Sequence, residues 1–427
     1  MYRSASWLGG STLLNAAVGF AFWIVAARLL PPDVLGVEGA ALNVVMLLAW
    51  IAQLSMHTVL PRFLPVAGAG SRTFVARVYT AVTAAAVVCA AGWGLWALVA
   101  GSASGLTGWV GATAVLSVVV WALFGLQDSV LVGLRRPELV AYENAAYSVV
   151  KLVVLLPLAA ALPAGALVIA WVAPAALFIP LVTGLVFLRL LPARGGANGE
   201  AGLDGREVVR FVAHDLPGGT ASMLAVRLVP VLVLAQVGAL GSAYFLVAWQ
   251  VLTVFEVALA SLGLALTVEG AGGDTTRVRS LTRQMLGRVL PLVAAGCLVL
   301  VALAAPVMGL FGEVYAQEAT TVLRVLMIAL PLRVVIDCAT AVMRVRGDLR
   351  VLLLVETVRA PVALGLCWLL ADAYGPVGAA VSYAITNVFV AALCGWYLHI
   401  ALHGGAPPRT ADAGDVPVVL EDSGRSA

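Results

Sequence analysis

Apolar runs of about 20 residues recur along nearly the whole chain, and that recurrence leaves few folds open. Each run is long enough to cross a bilayer as a helix. Hydrocarbon offers no partner to an unpaired backbone group, so open strands and loops are excluded at that depth. The alternating ten-residue pattern of a membrane barrel is absent. Composition agrees: 62% of residues are hydrophobic and 11% charged, against about half and about a quarter in soluble domains. The sequence therefore reads as an all-α integral membrane protein of the cell inner or plasma membrane.

A polar break from Arg189 to Asp215 interrupts this pattern near the middle. Arg189, Arg194, Arg206 and Arg210 lie in it among several glycines. Six apolar segments precede the break: about Trp7 to Leu30, Val34 to Leu60, Phe74 to Val99, Trp109 to Leu131, Leu139 to Leu162, and Ala166 to Leu188. Six follow: Leu216 to Val237, Ser242 to Val268, Val289 to Leu310, Thr320 to Met343, Val351 to Leu370, and Val377 to Leu402. The predicted organisation is twelve transmembrane helices in two six-helix bundles. The first bundle covers 1–190, a cytoplasmic loop 191–214, the second bundle 215–402, and a disordered polar tail 403–427.

The basic residues predict the orientation. Alternate connections hold Arg3; Arg62, Arg72 and Arg77; Arg135 and Arg136; the four arginines of the break; Arg277, Arg279, Arg283 and Arg288; Arg344, Arg346 and Arg350; and Arg409 and Arg425. These are 19 of the chain's 25 lysines and arginines. The opposite turns, near 31–33, 100–108, 163–165, 238–241, 311–319 and 371–376, have none. Both termini and the central loop are expected in the cytoplasm. Each half has an even number of helices, so a repeat between them is parallel, and the two bundles are expected to meet at a central cleft.

Ionisable residues at membrane depth are costly and usually face a cavity or a partner. The bases there are Arg28, Lys151, Arg227, Arg333 and Arg359. The acids are Glu38, Asp128, Glu143, Glu256, Glu269, Asp337 and Glu356. Arg333 and Asp337 are four apart, and Glu356 and Arg359 three apart, so each pair can be purely structural. Arg28 has the reach to snorkel outward. Glu143 and Glu269 lie near the inner boundary and are expected to reach headgroups or water. Lys151 and Arg227 have no acid three or four positions away, and they come from different halves. They suit a cationic cleft for an anionic, phosphate-bearing substrate. His57 reads equally as a titrating group or a packing residue.

The five cysteines all fall in apolar runs without metal spacing and read as packing residues. No nucleophile elbow, zincin, Walker or acidic catalytic pair appears, so no enzyme and no cofactor is expected. A membrane-embedded glycosyltransferase usually carries large outer loops, and here these are short. The net charge of +3 gives no argument for nucleic acid.

Four stretches carry a resemblance. They are AARLLPPDVLGVEGAALNV at 26–44, LPRFLP at 60–65, APVMGLFGEVYAQEATTVLRVLMIALP at 305–331 and YGPVGAAVSYAI at 374–385. In order and spacing they resemble the polysaccharide exporter branch of the multidrug/oligosaccharidyl-lipid/polysaccharide (MATE-like) superfamily, the flippases for lipid-linked oligosaccharides. The resemblance implies two six-helix bundles around a cavity, and alternating access that moves an undecaprenyl-pyrophosphate-linked glycan to the outer leaflet. It also implies a polysaccharide polymerase or glycosyltransferases as partners. Pyrophosphate binding would then fall on Arg28, Lys151, Arg227 and Arg333, an assignment that rests on depth and charge. The alternative is a cation-coupled multidrug or small-molecule exporter of the same superfamily, with Asp128, Glu256 and Asp337 coupling the ion. A third reading is a membrane scaffold that transports nothing.

Overall fold

The computed structural model describes residues 17–100, 108–162, 164–191, 205–270 and 275–403. The start of the first predicted helix, most of the central break and the polar tail lie outside the described residues.

Backbone groups in hydrocarbon must pair within their own segment, and every described element is helical. The first half holds α1 (Ala17–Leu29), α2 (Pro32–Ala52), α3 (Met56–Phe63), α4 (Ser71–Ala100), α5 (Gly108–Gly133), α6 (Pro137–Ala161) and α7 (Ala166–Leu185). The second half holds α8 (Gly205–Gly270), α9 (Thr275–Gln284), α10 (Leu290–Ala302), α11 (Ala304–Gly309), α12 (Glu313–Glu318), α13 (Thr320–Ala329), α14 (Pro331–Arg346) and α15 (Leu349–His403). Among the described residues, nine helices are long and apolar enough to cross a membrane. Leu98, Leu188, Leu292 and Trp396 are among the large side chains that point away from the protein. That arrangement suits lipid as the surrounding medium. The protein is thus an all-α, multi-pass membrane fold.

The 39-residue apolar span Met223–Ser261 would be about 58 Å long as one straight helix, against a hydrocarbon core of about 30 Å. Gly238 breaks it with φ 74°, and Gly375 breaks α15 with φ 62°. Both conformations are open to glycine at little cost, and both fall at turns expected on the outer side. α8 begins at Gly205, so residues 205–214, expected as loop, are helical.

The predicted second helix is not continuous. It stops at Ala52 and restarts at Met56, with Leu54 and Ser55 in the left-handed region at φ 50° and 59°. No glycine or proline marks this break. Instead the Gln53 side chain lies against Gly125, where an added Cβ would come within 2.5 Å of the Gln53 amide nitrogen. By contrast the Leu330–Pro331 junction between α13 and α14 falls at a proline, as expected of that residue. Among the described residues all five cysteines are free, and all but Cys89 are buried.

First-half helices other than α2 pack mainly on one another, and so do second-half helices. The principal joint is α2 against α8. Two glycines on α2 make it close: a Cβ on Gly36 would fall 2.0 Å from the Ala239 carbonyl oxygen, and one on Gly39 would meet Leu246. Ser242 Oγ donates to the Gly36 carbonyl at 3.4 Å. Gly36→Ala is therefore expected to cost about 1–3 kcal/mol, because the obstructing atom is backbone and cannot rotate away. Gly19→Ala, with nothing within 4 Å, serves as the neutral control. Thermal unfolding of both variants in detergent checks this: equal midpoints would mean that the α2–α8 contact is not tight.

Candidate functional site

Two polar centres lie at membrane depth. The first is in the second half, where α8, α14 and α15 pack together. Arg333 of α14 lies 3.6 Å from Glu256 of α8 and 3.2 Å from Asp337 of its own helix. Tyr383 of α15 donates to Glu256 at 2.7 Å. On α15, Arg359 pairs with Glu356 at 3.6 Å. Glu256, Asp337 and Glu356 thus share two guanidiniums within ion-pair distance, Arg333 and Arg359, and the more distant Arg344 also acts on Asp337. One Asp337 oxygen accepts no hydrogen bond among the described residues, and neither do the Asn387 amide oxygen and a Glu356 oxygen. Gly263 of α8 lies where its Cβ would approach the Asp337 side chain at 3.3 Å, so the helices meet closely at the acid. The two pairs expected within single helices exist, but Glu256 joins them across helices. Sequence spacing alone could not show that.

The second centre is in the first half, near the connection between α5 and α6. Asp128 accepts from the Asn144 amide at 3.2 Å through both oxygens. Glu143 is 5% exposed, and neither of its oxygens accepts a hydrogen bond among the described residues. The expectation that Glu143 reaches headgroups or water is therefore corrected: it points between helices. The side chain of Glu269 lies outside the described residues.

The bases expected to form a joint cationic cleft have separate surroundings. Lys151 is 4% exposed, and its ammonium lies 3.7 Å from the Trp171 ring centroid, 4.6 Å from Phe22 and 5.3 Å from Tyr147. These rings come from α7, α1 and α6 and enclose the charge by cation–π attraction. Arg227 of α8 reaches the Asn43 amide oxygen of α2 at 3.5 Å. Arg28 does not simply snorkel: its guanidinium donates to the carbonyls of Leu310 at 2.7 Å and Gly309 at 3.2 Å, at the end of α11. Glu38, buried on α2, accepts from the backbone N–H groups of Gly165, Leu167 (2.9 Å) and Val168 (3.2 Å), where α7 begins. Its burial is thereby satisfied as a helix cap. His57 stacks near Trp50, ring centroids 4.4 Å apart. Among the described residues, no group of three or more His, Cys, Asp or Glu side chains that could hold a metal ion occurs.

Removing Arg333 leaves two half-buried carboxylates without their base. Arg333→Gln is expected to destabilise the protein by about 3–5 kcal/mol. Adding Asp337→Asn should restore a large part of that loss, since the charge left over is smaller. Thermal unfolding of the single and double variants measures it. A double variant no more stable than the single one would show that the pair is not coupled.

Neither a protein-family model nor a curated protein sequence matches the chain. Solved structures do. An inward-facing multidrug-resistance MATE transporter of the MOP superfamily superposes with a TM-score of 0.73 at 13% identity, covering 91% of this chain and 94% of its own. The lipid II flippase MurJ in an inward closed conformation gives 0.71 at 11% identity, with 92% and 87% covered. A MOP superfamily transporter from Pyrococcus furiosus, described as having a binding pocket of reverse polarity, gives 0.65 at 12% identity, with 93% and 95% covered. At these identities the likeness concerns the fold, and the chain has the fold of MATE- and MurJ-like membrane transporters.

Proposed function

We propose that this protein is a cation-coupled exporter of small molecules that works by alternating access between its two halves. Twelve crossings fit the helices: the nine long spans, two of which turn back at Gly238 and Gly375, and the shorter α1. The basic connections then lie in the cytoplasm. Labelling tests this arrangement against a background in which the five native cysteines are replaced. Cysteine at Glu318, in an outer turn, is expected to react with an impermeant maleimide in intact cells. Cysteine at Arg279 should react only after permeabilisation. Equal labelling of both would overturn the orientation.

The observation that carries the coupling is the second-half centre. Three carboxylates share two guanidiniums within ion-pair distance, one base fewer than acids, in a place where an unbalanced charge is costly. A proton or an alkali cation balances it, so occupancy of the centre changes the energy of the packed helices around it. Glu256 and Asp337 are the coupling acids in this reading, and Arg333 holds them in place.

The second reading is a flippase for a lipid-linked oligosaccharide. It is favoured by the motifs at 26–44, 60–65, 305–331 and 374–385, and by the likeness to a lipid II flippase. Against it stands the pairing of Arg333 and the aromatic enclosure of Lys151, which leave little free positive charge for a pyrophosphate.

Proteoliposomes separate the two. Uptake of an organic cation dye into inside-out-oriented vesicles, driven by a proton or sodium gradient, is expected for the wild type. It should fall at least about tenfold in Asp337→Asn, the size expected from losing a stabilisation of about 1.4 kcal/mol. Lys151→Met should leave it unchanged. Absence of dye transport, with transfer of a fluorescent undecaprenyl-pyrophosphate glycan that is lost in Lys151→Gln, would replace the exporter reading with the flippase one.

A further inference from the structure

α9 runs into α10 through a π-helical turn, Met285–Val289, in which the Leu290 N–H donates to the Met285 carbonyl five residues back. Residues five apart across such a turn stand one above the other, as residues four apart do in an α-helix. The arginines follow that count. Arg279 and Arg283 are four apart on α9, Arg283 and Arg288 are five apart across the π turn, and Leu292 follows four later on α10. The four side chains therefore form one ridge. In an unbroken α-helix Arg288 would stand about 140° round from Arg283. Arg283, Arg288 and Leu292 are exposed along the ridge and Arg279 partly so, while Val278 and Thr282 are buried against the protein.

This ridge crosses the edge of the bilayer. About 20 residues of helix span the hydrocarbon; counted back from the outer turn that begins at 311, they put the inner boundary near Leu290. Leu292 then faces acyl chains, Arg288 stands at the boundary, and Arg283 lies about 7 Å beyond it, at headgroup depth. A second helix brings another base to the same side. Cys338 Sγ of α14 lies 3.9 Å from Met285 Sδ. Arg279 and the exposed Arg344 are each six residues from that contact, so they share a level about 9 Å from it towards the cytoplasm. No acid answers these charges. α9 and the π turn contain none, and Arg283 and Arg288 form no ion pair among the described residues. Asp348, in the turn after α14, is taken by Arg346 at 3.6 Å and by the Tyr397 hydroxyl.

We infer that the ridge of Arg283, Arg288 and Leu292 is a docking site for an anionic phospholipid of the inner leaflet. Its phosphate sits between the two guanidiniums, whose paired N–H donors match phosphate oxygens. Arg279 and Arg344 face the rest of the headgroup, and an acyl chain lies along Leu292. Charge selects the lipid class: a zwitterionic headgroup would bring its own ammonium against the same guanidiniums, and an anionic one does not. Leu292 selects a lipid over a soluble phosphate. Arginines that merely snorkel need no common face; here the π turn, a rare element found mostly at functional sites, supplies one. The site is separate from both buried polar centres and does not depend on the substrate. Only the naming of the leaflet rests on the orientation proposed above.

The test uses the purified full chain in neutral detergent micelles and needs no transport. Thermal unfolding is followed while phosphatidylglycerol is added, with phosphatidylcholine of the same acyl chains and free glycerol phosphate as comparisons. Phosphatidylglycerol is expected to raise the wild-type midpoint by about 2–4 °C at saturation, and the other two by less than about 1 °C. Arg283→Ala combined with Arg288→Ala should abolish the rise. Arg72→Ala combined with Arg77→Ala removes two exposed bases of α4 and should leave it intact. Gly287→Arg combined with Arg288→Gly keeps the charge and moves it off the ridge; nothing lies within 4 Å of a Cβ at Gly287, so the side chain has room. This variant should lose the rise as fully as the double alanine one. Should it fail to fold, the double alanine variant decides. Equal responses to the two lipids, or a rise that survives in the double alanine variant, would overturn the site. An equal response to glycerol phosphate would overturn the lipid as its occupant.

Discussion

Hydrocarbon supplies no hydrogen bonds, and the rest of this structure follows from that constraint. It forces every crossing into a helix and then makes the helix ends a problem, because their last donors and acceptors have no partner in the ladder. Two of these ends are served by charged side chains from elsewhere. Glu38 on α2 takes the first N–H groups of α7, and Arg28 on α1 takes the last carbonyls of α11. Both follow the helix dipole, an anion at an N-terminus and a cation at a C-terminus. The Arg28 contact links the two halves, so a charge at membrane depth acts here as a structural tie.

The same constraint sorts the remaining charges. Arg333 is balanced by carboxylates from two helices, Lys151 by the faces of three rings, and Arg227 by an amide oxygen. Each solution lowers the cost of burial in a different currency. What is left over is acid: three carboxylates on two guanidiniums in the second half, and Asp128 with Glu143 in the first. A fold shared with MATE- and MurJ-like transporters, at 11–13% identity in these two comparisons, is thus furnished with an interior of its own.

Much of the fold was legible because membrane helices announce themselves by length and apolarity. The run from Leu139 to Leu162 corresponds to Pro137–Ala161, and the turns expected at 238–241 and 371–376 contain the helix breaks at Gly238 and Gly375. The break at Leu54–Ser55 was not legible, since no glycine or proline marks it, and the neighbouring Gln53 packs against Gly125 some seventy residues later. The site was less legible for the same reason. Spacing along one helix finds Arg333 with Asp337, but not Glu256 on α8 or Tyr383 on α15. Lys151 has no acid at helical spacing and so looked free. Its partners are aromatic and sit on three helices, where no sequence pattern joins them. Glu143 near a helix end looked wet, but α6 packs against α5 and α7 and the side chain is buried.

The interruption after Ala52 divides the second apolar segment between two owners. Above it, α2 lies chiefly along α8 of the second half; below it, α3 lies chiefly along α5 of the first. Left-handed backbone at two residues that are not glycine carries a conformational cost of about 1–3 kcal/mol each. A continuous rod would transmit any tilt of one half directly to the other. Two short rods with a costly elbow between them do not, so the segment behaves as a pair of levers with separate anchorages.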